Sequence, residues 1–482
     1  MMGWLVRYEA FPELFSGKNT GYGDLLSDGP LIADSWMKIL IHGIHVGYSH
    51  SQVDINENDP SGRYRMDNQT LLNMNVLGSV QRISVNSSAA LDTLYNLQRF
   101  SFAMSSGGYQ LQLQAQRAGE TSFDVTIRSP GGLQKARIEI PRDAILYSPL
   151  METALKNLKP GQEMSMKVFD PTSMSTSDLI VKGVRREILN VDGKETETTL
   201  LAYDYGGMQV QSWISRDGTM VRQETPMGWT MEAASPDKAV DFSRNAASPD
   251  ILKSMAIPVT GIKAVPSQCT RLQVALSGAD FSSLELESHR QIVVDKKPAR
   301  IILEILPDQL PDSPATATAP PANLPGLLKA TMYVQSDHPE IIKRARSITA
   351  KATNDLEKAL AIYTWVFQNV AKNPTVSLPS ALDVLHTMKG DCNEHTYLFT
   401  ALARAAGLPA QIRIGVVYMR GSFYYHAWPS VFVGRWLEMD PTLGQPAVDA
   451  GHLAFLSGEL TEQMKLLGLL GKAQAEFLEK EP

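Results

Sequence analysis

The chain has 482 residues, a length that at roughly 150 residues per domain allows about three domains. Hydrophobic residues at 43% and charged residues at 20% give a globular profile and exclude both wholesale disorder and a disulfide scaffold. Lys and Arg number 45 against 51 Asp and Glu, a net charge of −6, so the broad basic footprint of a nucleic-acid binder is missing and no nucleic-acid partner is expected.

Only Cys269 and Cys392 are present, too few for a disulfide framework or a four-cysteine zinc site. The apolar start, Met1-Met2-Gly3-Trp4-Leu5-Val6, is far too short to span a membrane and lacks a charged n-region. It reads as the stub of a longer hydrophobic segment. Residues 1–35 are therefore expected to be membrane-proximal, with the cell envelope or periplasm favoured over the cytoplasm.

Residues 36–240 carry strand signals. Apolar and polar residues alternate over 101–104, 109–114, 122–127, 163–169 and 207–214, with glycine-rich turns between them. Asp217-Gly218 predicts a tight hairpin turn, since glycine supplies the positive φ it needs. One helix is predicted over 149–158. The whole reads as a large antiparallel β domain, followed over 241–306 by a small β domain. Residues 307–326 then hold six prolines in twenty and read as a semi-rigid linker.

Beyond it the pattern changes to α then β, in a catalytic domain over 327–460. Apolar spacing predicts helices over 339–350, 354–372, 380–387 and 392–406, the last closed by Gly407 and Pro409. Strands are predicted over 411–418, 423–433 and 435–439. The Leu-rich stretch in 461–482 is expected to form a C-terminal docking helix.

Three segments place chemistry at element edges: Gly390-Asp391-Cys392-Asn393-Glu394-His395, Tyr425-His426-Ala427-Trp428 and Met439-Asp440-Pro441-Thr442. Cys392 opens a helix, where free N–H groups and the helix dipole favour a thiolate and are expected to lower its pKa. His426 on one strand and Asp440 at the end of the next supply a base and an orienting acid. Together they are what covalent acyl transfer requires. A buried structural thiol, a core histidine and a turn aspartate are the competing readings, and the combination favours catalysis for all three.

Residues 335–455, about a quarter of the chain, resemble the transglutaminase-like superfamily. The resemblance rests on Ala381-Leu382-Asp383-Val384-Leu385, Gly390-Asp391-Cys392, the run from Ala401 to Ala410, His426-Ala427-Trp428 and Asp440-Pro441-Thr442. It implies a papain-like fold with Cys392, His426 and Asp440 as the catalytic residues in that chain order. The separations of 34 and 14 residues suit the compact bacterial form. Trp36-Met37-Lys38-Ile39 and Gly47-Tyr48-Ser49 give the β region a loose likeness to envelope-associated extensions of bacterial members. The expected fold class is α+β, antiparallel β domains followed by a papain-like core.

Pro429-Ser430 replaces a Glu expected after the histidine, a change read as tuning because that Glu is not one of the catalytic residues. Asn393 stands where cross-linking members have Trp, and no acidic loops resemble their calcium sites. Hydrolysis of a peptide or protein amide, by a peptidase or amidase, is therefore expected through a thioester. The alternatives are a protein-glutamine transglutaminase and an inactive scaffold or binding protein of the cell envelope. No cofactor or metal is expected, and the β domains are expected to meet a cell-envelope or membrane-protein partner. His395 reads as a supporting or surface residue rather than half of a metal pair with Cys392. For Trp365, core packing is favoured over an oxyanion role. His42, His45 and His50 are not expected to share a metal, because His42 and His45 would face opposite sides of a strand.

Overall fold

The computed structural model describes residues 33–481 apart from 77, 147–154, 156, 206–207, 226–227, 243–249, 312–322, 374–375, 379, 468–469 and 471. Most of the N-terminal segment and most of the helix expected over 149–158 lie outside the described residues. The chain divides into two compact units, the second spanning 250–482 and the first taking most of the chain before it.

The first unit follows from period-two patterning. In Tyr109–Arg117, Tyr109, Leu111, Leu113 and Ala115 are buried and the residues between them exposed. Among the described residues fifteen strands form one sheet. Gly132–Glu139 lies at one edge, followed in reverse chain order by its neighbours down to Ala33–Ile41. That strand pairs with Trp229–Ala233, and the order then runs backwards again to Ala144–Leu146 at the other edge. Gly218, at φ +91°, turns the predicted hairpin. The sheet curls on itself. Phe100 and Phe169 stand ten strands apart in sheet order, yet their rings meet at 5.5 Å. The interior is apolar, with Met37, Ile145, Met166, Leu179, Leu201 and Ile214 in one cluster.

The second unit joins segments that the sequence reading kept apart. Arg271–Ser277 pairs on one side with Arg300–Ile305 and on the other with Gln474–Glu481. Ile257–Gly261 links the tail strand to Ser422–Phe432, which pairs in turn with Ala410–Met419. The expected small β domain over 241–306 is thus part of the same sheet as the catalytic segment. The described residues on both sides of the proline-rich stretch belong to one unit, so it does not join separate units. The C-terminal expectation is also corrected. A helix covers Leu460–Leu467, but Gln474–Glu481 is a strand whose Ala475 and Phe477 are buried in alternation. That period of two outweighs the leucine content, and the glycines at 468 and 471 separate the two elements in sequence. Strands outweigh helices throughout, so the architecture is mostly β rather than evenly α+β.

Four helices of the second unit precede the paired strands of the site, at Pro339–Ile348, Asp355–Asn369, Ala381–Thr387 and Cys392–Ala405. The last carries a fully buried face of Leu398, Phe399 and Leu402, and Gly407 follows it at φ +81°. Among the described residues no helix is long and apolar enough to cross a membrane.

Candidate active site

The site is assembled at the start of the Cys392–Ala405 helix. Asp391 caps it: the Asp391 carboxylate accepts from the Asn393 N–H at 3.0 Å and from the N–H of Glu394, while Glu394 Oε2 accepts the Asp391 N–H at 2.8 Å. The His395 N–H goes to the Asp391 carbonyl at 3.1 Å. Among the described residues this leaves the Cys392 N–H as the first-turn donor without a partner.

The strand Ser422–Phe432 brings His426 to this helix end. Thr396, on the helix and fully buried, donates to the Ala427 carbonyl at 3.0 Å, and the Ala427 N–H reaches the Cys392 sulfur. Gly415 lies opposite His426 in the neighbouring strand. A Cβ there would come within 1.9 Å of the Leu453 carbonyl oxygen, so glycine lets the His452–Ser457 strand approach.

His426 and Asp440 are joined directly, Nε2 to Oδ2 at 2.7 Å, and both are buried. Asp440 sits in a tight turn whose Thr442 and Leu443 N–H groups donate to its Oδ1 at 2.7 and 2.9 Å. Burial works against its charge, but His426 and His452 outweigh burial and hold its carboxyl far below the usual range. His426 ring-stacks beside Trp428, whose indole N–H donates to Glu438 at 2.8 Å. Glu438 is buried and meets the buried Arg290 at 2.9 Å. Burial again opposes the charge, and the arginines Arg290 and Arg413 bring its carboxyl down to about 2.

All three sequence-predicted residues, Cys392, His426 and Asp440, therefore converge. The expected lowering of the Cys392 pKa is not found. Burial, then the adjacent Asp391 carboxylate, pushes the thiol up, with the Ala427 N–H pulling the other way. Burial is the larger cause, and the cap adds to it. The N–H groups credited with favouring a thiolate are already spent on Asp391. Asp391 itself is pushed up by burial and by Glu394.

His395 is fully buried and braces the backbone, its ring nitrogens facing the carbonyls of Asp391 at 2.7 Å and Val370 at 3.2 Å. Trp365 lies under the Arg344 guanidinium at 5.0 Å. His45 bonds the Gly47 carbonyl and His50 bonds Asp34, so these two histidines go to separate partners. Both cysteines are free.

Sequence reasoning missed His452. Its Nε2 lies 3.1 Å from Asp440 Oδ2, the oxygen that also binds His426. The available signal was a histidine at the head of the apolar run His452–Ser457, just after Asp449-Ala450-Gly451. His426, Asp440 and His452 each offer a ligand atom within 4.8 Å of the others, the spacing of a cation site. Two hydrogen bonds already occupy those atoms, so the cluster is a hydrogen-bonded chain.

Residues 342–441 match the transglutaminase-like superfamily, and this segment of the chain is a transglutaminase-like core. An uncharacterized protein of Haemophilus influenzae is 34% identical over 113 residues, covering 21% of this chain and 30% of that protein. The mouse and human proteins named kyphoscoliosis peptidase are each 29% identical over 116 residues, covering 20% of this chain and 17% of theirs. The chain thus spans less than a third of the length of the curated relatives it matches. A solved structure from Cytophaga hutchinsonii, described as a candidate cysteine protease, has a TM-score of 0.31 at 17% identity. It covers 45% of this chain and 90% of that one.

Proposed function

We propose that this protein is a cysteine hydrolase that cleaves peptide or protein amides through a thioester, with Cys392 as nucleophile, His426 as base and acid, and Asp440 as the group orienting His426. The observation that carries the reading is the buried His426–Asp440 hydrogen bond beside the cysteine that opens the helix. That bond uses Nε2 of His426 and leaves Nδ1 to exchange a proton with sulfur.

In the resting site the thiol keeps its proton, because burial and Asp391 disfavour the thiolate. His426 takes that proton as Sγ bonds to the amide carbon, and the carbonyl electrons move to oxygen. The Cys392 N–H, left without a partner by the Asp391 cap, is placed to receive that oxyanion. Collapse breaks the C–N bond, and His426 passes its proton to the leaving amine. Water then attacks the thioester as His426 removes its proton, and Sγ leaves as the thiol. Asp440, held ionised by its histidine partners, stabilises the imidazolium in both halves.

Hydrolysis is favoured over cross-linking by Asn393 in place of tryptophan and by the peptidase name of two relatives. The proposed setting is the cell envelope, with an envelope protein as partner of the β region, on the strength of the loose sequence likeness at 36–49.

The test uses a peptide vinyl sulfone and a peptide amide library on the full chain carrying Cys269→Ala. Expected are one covalent adduct at Cys392, formed about 10²-fold or more slowly in His426→Gln, and amide cleavage without an added amine. Product that forms only when an amine is supplied would turn the reading to transglutaminase. Equal adduct rates in the parent and His426→Gln, with no cleavage, would overturn catalysis and leave a scaffold.

A further inference from the structure

Asp440 is held by more than a triad requires. The backbone turn saturates its Oδ1, while Oδ2 meets two histidines, His426 at 2.7 Å and His452 at 3.1 Å. His452 is fully buried, and its other nitrogen, Nδ1, lies 3.0 Å from Asp449 Oδ1. An ionised carboxylate can only accept, so both bonds form together only when each ring nitrogen carries hydrogen.

We infer that His452 is a positioning residue of the active site proposed above. It is a buried imidazolium that bridges Asp449 and Asp440, fixes the Asp440 carboxylate and offsets part of its charge on the side away from His426. The inference rests on the Cys392–His426–Asp440 reading.

The surroundings fit this charge. The ring faces Asp440 and Asp449, the His426 ring at 5.7 Å and the Trp428 ring at 5.2 Å. The Arg290 guanidinium donates to the His452 carbonyl and, at 3.4 Å, to the Asp449 carbonyl. Burial and that arginine oppose a second cation, but the two carboxylates outweigh burial and hold the His452 imidazolium above its ordinary range. Asp449 is itself fixed by the Gly451 N–H at 2.9 Å and by Gln445 Nε2 at 3.0 Å, so the chain is anchored at its far end.

The consequence is specific. An aspartate shared with a second cation supports the His426 imidazolium less than an unshared one would. Sharing Asp440 with His452 leaves His426 in the part of proton acceptor for the Cys392 thiol. The device suits general-base activation rather than a standing thiolate–imidazolium pair.

The experiment is a pH titration of the full chain labelled with carbon-13 at histidine Cε1, which gives at most nine resonances. The His452 signal is assigned by its loss in His452→Gln. Expected is a His452 midpoint above the ordinary ~6.5, moving down in Asp449→Asn as one of its two carboxylate partners is removed. Turnover should fall about 10- to 100-fold in His452→Leu and recover largely in His452→Gln, whose amide N–H can still hold Asp440.

A His452 that titrates at or below ~6.5, or a His452 midpoint unmoved in Asp449→Asn, would overturn the inference. Asp449→Asn, at a partly exposed residue, keeps the titration decisive if the His452 variants fail to fold. The titration does not depend on turnover. A protein without amide cleavage but with the expected midpoints would retain the His452 bridge and lose the hydrolase reading.

Discussion

The two units use charge in opposite ways. In the first, ion pairs sit at the surface: Arg216 and Glu197 meet at 2.7 Å with side chains 77% and 43% exposed, while the interior cluster is apolar. In the second, Arg290 and Glu438 meet at 2.9 Å with 2% and 1% exposure, and Asp440 is buried between two histidines. Burying a charge costs several kcal/mol that pairing only partly returns. Such groups therefore mark where geometry is being held for a purpose. Glu438 holds the Trp428 indole, Trp428 stacks on His426, and His426 meets the sulfur's helix. The proposed chemistry belongs to the second unit.

The largest effect expected from breaking this contrast is at Asp440. Asp440→Asn keeps the shape but cannot stabilise the His426 imidazolium, and its amide would place hydrogens against a ring nitrogen that needs an acceptor. Amide cleavage should drop about 10⁴-fold, with the helix content by circular dichroism unchanged. Arg290→Leu comes next. It strips Glu438 of its closest cation, leaving Arg413 at 3.5 Å, and should cost about 3 kcal/mol or more by urea unfolding. The same pair sets a pH dependence. Glu438 has a depressed folded pKa, so its contribution is present above the unfolded value of ~4.3 and is lost as pH falls through about 2. Calorimetry of the full chain should show the second unit's transition dropping across that window in the parent and much less in Arg290→Leu.

These buried partners also show what the sequence could and could not convey. Cys392, His426 and Asp440 were legible because Cys392 opens a helix, His426 lies within a strand and Asp440 follows the next one, all elements whose periodicity is local. The helix over 392–405 and the strands over 410–419 and 422–432 fall within a residue or so of where apolar spacing placed them. Arg290 was not legible. Its partner lies 148 residues away, and the strands that bring the two together pair through the chain's last eight described residues. His452 escaped because a histidine opening an apolar strand looks like any core histidine until its acceptors are known. The Cys392 pKa was misjudged for a related reason. Burial, the larger cause, depends on what packs over the sulfur, and the Asp391 carboxylate beside it could be placed only once the cap was seen bond by bond.

A smaller effect should separate packing from charge. Gly415→Ala puts a methyl group 1.9 Å from the Leu453 carbonyl oxygen, a backbone atom with little room to yield. The strand carrying His452 must then shift. A stability loss of about 1–3 kcal/mol is expected, together with a downward move of the His452 titration midpoint. Loss of stability with the midpoint unchanged would show that the strand approach serves packing alone.

The smallest effect lies in the first unit. Arg216→Ala removes the guanidinium from Glu197, but both groups stand in water before and after. Solvent screens their attraction, and holding two long side chains in one geometry costs rotamer freedom. The expected change is within about 0.5 kcal/mol by urea unfolding and should shrink further as salt is raised. A loss above about 2 kcal/mol would mean that the first unit also relies on positioned charge. The contrast between the units would then have to be redrawn around burial of the strand rather than exposure of its side chains.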